Sequence, residues 1–145
     1  MKDIIFRKYC IKDNKRLKEM MNYFYHSPAV FTDGSARIFS KNVKALTFNP
    51  SVRGYVVENN NIVMGYAIIS KMYNTEFGKK VFYLEDLYID EKYRNKGIGD
   101  QFISYIISKN KNLIFKLEVE DNNEQAIKLY SKKGFKEFPY KIMVK

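Results

Sequence analysis

A chain of 145 residues can bury one sizeable core but divides poorly into two, and a 46% hydrophobic content with 12 Tyr and 11 Phe excludes a disordered polymer. One cysteine, Cys10, and one histidine, His26, leave no material for an internal disulfide, a structural zinc site or another Cys/His metal cluster, so no metal is expected. The formal charge of +10, from 26 Lys and Arg against 16 Asp and Glu, is compatible with nucleic acid, an anionic surface or a phosphate-bearing ligand; the lysines are dispersed, which favours a solubilising surface over a polyanion groove.

No apolar stretch reaches membrane-spanning length, and Met1-Lys2-Asp3 leads directly into a strand-like run, so the expected compartment is the cytoplasm, with no membrane partner. IIFRKY reads as a first strand. Asp13-Asn14 can cap a helix whose apolar positions Leu17, Met20, Met21 and Phe24 follow helical spacing and which stops near Pro28. Residues 39 to 48 are weakly helical and end at Pro50. GYVVENNNIVMGYAIISKMY carries two strand-like runs around Asn59-Asn60-Asn61, residues that tolerate the left-handed conformations of a hairpin turn. A second turn, Asn74 to Lys80 with Gly78, precedes VFYLEDLYID, so three strands follow one another as an antiparallel meander.

After YRNKGIGD the period changes: Ile98, Phe102, Ile103, Ile106 and Ile107 form a helical stripe. LIFKLEVE, residues 113 to 120, is again a strand. Asp121-Asn122-Asn123 starts a helix with Ala126, Ile127, Leu129 and Tyr130 inward, and Gly134 suits the left-handed residue past its end. FKEF and YKIMVK, separated by Pro139, read as two closing strands. The expected fold is α/β (α+β), one domain over residues 1–145. Its core is a central mixed, mostly antiparallel twisted sheet of about six or seven strands flanked by about four helices.

Three features carry chemistry. A glycine-rich turn feeding a helix N-terminus is an anion cradle, because first-turn N–H groups lack helical acceptors and the helix dipole favours negative charge. Gly97 and Gly99 permit close approach to the backbone, and Arg94 and Lys96 add charge. Phe102 stands where a dinucleotide fingerprint needs glycine, and the P-loop Gly-Lys-Ser/Thr is absent. In the preceding strand, Glu85 and Asp86 stand mid-run, one on each face by simple alternation, where an unpaired carboxylate is costly. Asp86 is read as pairing with a Lys or Arg of a neighbouring strand, and Glu85 as a proton acceptor. On the last helix Asn123 and Tyr130 share a face turned to the sheet or a cleft beside it.

Two blocks, LEDLYIDEKYRNKGIG and NNEQAIKLYSKKGF, in this order and separation, resemble the GNAT superfamily of acyl-CoA-dependent N-acetyltransferases. The first is similar to its strand plus Arg/Gln-x-x-Gly-x-Gly/Ala loop, the second to its Asn-x-x-Ala, Tyr and Gly-Phe helix. The resemblance runs from about Tyr55 to Phe135 and looks closest to the spermidine/spermine and thialysine acetyltransferase branch, with Asn122 where Trp is common. It implies acetyl-CoA as cosubstrate. Leu87, Tyr88 and Ile89 would pair with the pantetheine arm, and the amides of Asn95, Lys96, Gly97, Ile98, Gly99 and Asp100, with the Arg94 and Lys96 charges, would hold the pyrophosphate. Asn123 and Ala126 would line the same cleft. Glu85 would act as general base, Tyr130 as proton donor to the departing thiolate, and a backbone N–H near Leu87 would stabilise the oxyanion.

In the same superfamily the loop after the first helix often walls the acceptor pocket. That makes Tyr25 and His26, within the aromatic stretch NYFYHSPAVF, candidates for substrate contact beside Glu85. The expected acceptor is a primary amine of a small, polyamine- or amino-acid-like molecule, attacked directly in a ternary complex because Cys10 lies outside both blocks. A protein lysine or N-terminus is the nearer alternative, and a non-catalytic basic module for nucleic acid the farther one. The resemblance and the aromatic C-terminal segment are also compatible with a homodimer.

Overall fold

The computed structural model describes residues 3–32 and 34–145. Strands β1 (Ile4–Lys8), β2 (Val52–Asn59), β3 (Ile62–Asn74), β4 (Lys79–Ile89) and β5 (Ile114–Leu117) form one sheet in the order β1-β2-β3-β4-β5. The first three pairings are antiparallel and β4–β5 is parallel. Helices α1 (Asn14–Tyr25) and α2 (Ala36–Phe48) connect β1 to β2, α3 (Ile98–Lys109) provides the crossover that a parallel pair requires, and α4 (Glu124–Lys132) follows β5.

Alternation along the central strands explains the layering. Tyr55, Val57, Ala67, Ile69, Phe82 and Leu84 face one way and bury the α3 stripe of Ile98, Phe102, Ile103 and Ile106. Val56, Tyr66, Ile68 and Tyr88 face the other way and meet Leu17, Met20 and Met21 of α1 and Phe39 and Val43 of α2. Both faces are covered, so the inner strands read as nearly continuous apolar runs. The β2–β3 turn is closed by Asn60 and Asn61, both left-handed at φ 49° and 63°, the conformation that a two-residue hairpin turn selects.

Two expectations fail at the C-terminal side of the sheet. LIFKLEVE pairs over only four residues, from Val81↔Ile114 to Leu84↔Leu117. FKEF and YKIMVK form no strand, so the sheet has five strands among the described residues. Pro139 removes a backbone donor midway, and Phe138 turns instead onto the β3–β4 turn: its ring lies 6.1 Å from Phe77, with the Lys116 ammonium 5.1 Å above it.

One ion cluster joins β1, the start of α1 and β2. Arg7 donates to both Asp13 oxygens at 2.8 and 2.9 Å and to Glu58 Oε2 at 2.6 Å, and Asp13 is almost closed to solvent. Arg7→Ala leaves a buried carboxylate without its cation and is expected to cost about 3 kcal/mol, read as a lower urea midpoint at unchanged slope.

Candidate active site

Beyond Leu84↔Leu117 no pairing joins β4 to β5, and β4 also changes register against β3, where Leu84 faces Ile69 and Asp86 faces Ile68. Glu85 is therefore the extra residue of a β-bulge. The bulge overturns the one-per-face reading of the two acids. Glu85 accepts a hydrogen bond from Ser70 Oγ and Asp86 from Tyr25 and Tyr66, so both carboxylates lie on the side of α1 and α2.

Where the strands part, a cavity of about 600 Å³ opens, a size usual for small-molecule sites. Of the residues singled out from the sequence, Leu87, Tyr88, Ile89, Arg94, Asn95, Gly97, Ile98, Gly99, Asp100, Asn123, Ala126 and Tyr130 line it. Lys96 does not: its ammonium donates to Lys92 O at 3.1 Å and lies 5.7 Å from the Tyr93 ring centre. Glu85 is solvent-exposed just before the lining begins at Leu87, and Tyr25 and His26 also lie outside the lining. The His26 ring bonds Asn22 O at 2.7 Å.

Sequence reading missed Phe24, Ser27, Pro28 and Ala29, which wall the cavity on the α1 side, and Tyr93, Asn122, Gln125 and Leu129. From the aromatic stretch around His26, Phe24, Ser27, Pro28 and Ala29 line the cavity, and Tyr25 and His26 do not. Which residues of a helix end and its loop turn inward is set by where the helix docks.

The cradle is built by backbone conformation. Gly97 is the residue before α3 and holds φ 72°, while Asn95 holds φ 59°. A Cβ on Gly97 would meet nothing nearer than 3.9 Å, so glycine is required there by φ and not by space. The first amide bonded within α3 is that of Gln101, to Gly97 O at 3.1 Å. The amides of Ile98, Gly99 and Asp100 thus have no helical acceptor. Arg94 is fixed at the rim by a 2.9 Å bond to Ile89 O and by its guanidinium 5.4 Å from the Tyr88 ring centre.

On the facing wall, Asn123 caps α4 by accepting from Ala126 N at 3.2 Å, and Gln125 Nε2 reaches across to Asn95 Oδ1 at 3.2 Å. Asp100 would repel an anion in the cradle, but Lys133 and Lys132, 2.7 and 2.9 Å away, engage its carboxylate and hold its pKa below the usual range. The Tyr130 hydroxyl has no hydrogen-bond partner among the described residues. Burial pushes it up to about 12, so it keeps its proton at neutral pH.

The two acids differ from the others of the site region. Asp13 and Glu58 meet Arg7, Asp90 meets Arg16 at 2.5 Å, and Asp100 meets two lysines. Among the described residues Glu85 and Asp86 have only hydroxyls: Ser70 for the first, Tyr25 (3.0 Å) and Tyr66 (3.0 Å) for the second. The expected Lys or Arg partner of Asp86 is thus replaced by two tyrosines, because the bulge turns Asp86 into the apolar layer beneath α1 and α2. Asp86 is 3% exposed.

A family model described as acetyltransferase (GNAT) family matches residues 17–135. The chain belongs to this family. The thialysine N-epsilon-acetyltransferases of Mus musculus and Sus scrofa are 38% and 35% identical over 73 and 75 residues, about half of this chain. Those stretches cover 42% and 44% of the two relatives, so the chain matches less than half of their length. A possible acetyltransferase from Clostridium difficile 630 superposes with a TM-score of 0.84 at 20% identity, covering 98% of this chain and 96% of that one. AAC(6')-Iy in complex with the bisubstrate analog CoA-S-monomethyl-acetylneamine gives 0.81 at 13% identity, covering 99% and 97%. The GNAT architecture accounts for both the single α/β layer arrangement and the mixed sheet. No helix among the described residues is long and apolar enough to cross a membrane.

Desolvation raises the Asp86 carboxyl to about 6, against the lowering effect of the Tyr66 and Tyr25 hydroxyls, with nearby Glu85 raising it further. Between about pH 4 and 6 the folded state therefore binds more protons than the unfolded state, and stability falls as pH rises through that window, by about 3 kcal/mol in total. Asp86→Asn does not titrate, so its stability relative to the parent is expected to improve from pH 4 to pH 7 in urea titrations.

Proposed function

We propose that this GNAT chain transfers the acetyl group of acetyl-CoA to a primary amine of a small cationic molecule, by direct attack in a ternary complex. The observation that carries the reading is the adjacent pair Glu85 and Asp86. In a chain of net charge +10 they have no cation beside them among the described residues, although Asp13, Glu58, Asp90 and Asp100 all do. Exposed just before the cavity lining begins and free of lysine and arginine, Glu85 is complementary to an ammonium supplied by the substrate, while Asp86 stays sealed beside it. Across the cavity the α3 amides and Arg94 suit the opposite sign, as the phosphates of acetyl-CoA require.

Acetyl-CoA supplies an activated thioester; the chain's own residues orient it and move protons. The cradle residues Asn95, Gly97, Ile98, Gly99 and Asp100 face the pyrophosphate with backbone amides, Arg94 adds charge at the rim, and Lys96 contributes long-range charge from outside the lining. Leu87, Tyr88 and Ile89, free of β5, offer backbone groups to the pantetheine arm, while Asn123 and Ala126 form the opposite wall. Glu85 is exposed and takes the ammonium proton through water, whereas Asp86 is sealed by two hydroxyls and cannot reach the substrate.

The amine nitrogen then forms its bond to the carbonyl carbon as the carbon–sulfur bond breaks. A backbone N–H near Leu87 meets the transient oxyanion. Tyr130, held protonated by burial, donates to the leaving thiolate. The thialysine acetyltransferase relatives support a small polar amine.

Thiol release from acetyl-CoA, measured against polyamines, lysine analogues and peptides, tests the reading; an absence of amine-stimulated release together with no thermal shift by acetyl-CoA refutes it. Glu85→Gln is expected to lower kcat/KM roughly 100-fold or more below the amine's own pKa, with the deficit shrinking as pH rises and acetyl-CoA affinity kept. Gly97→Asp forces a side chain onto φ 72° and a charge into the cradle, so the acetyl-CoA thermal shift should disappear.

A further inference from the structure

The buried carboxylate of Asp86 has no place in the proton path above, yet burying it is costly, so its hydrogen bonds need a purpose. They cross-link the layer. Tyr25, the last residue of α1, donates to Asp86 Oδ1 at 3.0 Å, and Tyr66 of β3 donates to Oδ2 at 3.0 Å.

Tyr25 is also where the α1–α2 loop begins and where it returns. A Cβ on Gly34, near the loop's end, would lie 2.6 Å from Tyr25 Cβ, and the Tyr25 ring packs 5.6 Å from Phe39 of α2. Between these points Ser27, Pro28 and Ala29 form the α1-side wall of the cavity, which Leu87 and Tyr88 also line. The wall stands on the side of the sheet to which Glu85 points.

We infer that Tyr25 is a positioning residue: anchored by Asp86, its hydroxyl sets the Ser27–Ala29 wall along which the amine approaches Glu85. Tyr25 thus acts through the wall and does not touch the substrate. The inference rests on the acetyl-transfer reading for its consequence, but its mechanical part does not. Tyr66 supplies the control. Tyr66→Phe removes an equivalent hydroxyl from Asp86 in a residue that is fully buried and lies outside the loop and the cavity lining. A merely structural role predicts similar behaviour for the two variants.

The decisive comparison is Tyr25→Phe against Tyr66→Phe, each with its melting temperature, steady-state constants and amide hydrogen exchange over residues 26–32. Tyr25→Phe is expected to raise the KM for the amine about tenfold, with the KM for acetyl-CoA within about twofold of the parent, and to speed exchange over 26–32. Tyr66→Phe is expected to lower the melting temperature without either change. Equal effects on amine KM, or unaltered exchange over 26–32 in Tyr25→Phe, overturn the inference. If the parent protein acetylates no amine, the functional reading fails by itself, while hydrogen exchange still decides whether Tyr25 sets the wall.

Discussion

The site depends on one backbone constraint: β4 pairs with β3 along its whole length but with β5 over only four residues. A central strand normally satisfies its N–H and C=O groups on both sides. Here the β5 side of β4 is released after Leu84, so Leu87 to Ile89 present backbone groups to a cavity. The bulge at the same point adds one residue to β4, which turns Glu85 and Asp86 to the same side. Cavity and carboxylate pair therefore arise at the same point of β4.

The cavity and the bulge beside it have opposite electrostatic character. At the α3 end, unpaired amides and Arg94 favour negative charge, and the one acid present, Asp100, is engaged by Lys132 and Lys133. At the bulge, just outside the lining, Glu85 is exposed with no cation beside it among the described residues, and Asp86 is sealed by two tyrosines. Such a division suits a polyanionic acyl donor and a cationic acceptor brought together at the parting of the strands. Tyr130 and Glu85 flank that point from different elements, α4 and β4, so their separation is governed by how α4 seats on the core. Leu129 and Tyr130 pack against the α3-side cluster, and polar bridges from Gln125 and from the two lysines tie both ends of α4 to the α3 segment.

Much of the fold was legible because its signals are local. The 3.6-residue stripe of α3, the αL-tolerant Asn60 and Asn61, and the cap at Asn123 act within a few residues, and the glycine-rich loop between strand and helix needs no distant partner to be recognised. The closing strands were misread because a strand exists only if an edge accepts it. FKEF and YKIMVK carry the right alternation, but Phe138 is taken by Phe77 and Lys116.

The same distinction divides the site. Residue types and spacing along the chain determined the anion cradle, the candidate base and acid, and the family to which they point, since each depends on groups held close together by one strand, one loop or one helix. The tertiary structure alone decided that Glu85 and Asp86 share a face, that Asp86 is anchored by tyrosines, and that Ser27 to Ala29 form a wall. A register shift reverses side-chain direction without changing the sequence pattern, and Tyr25 and Asp86 meet only because α1 docks across β3 and β4.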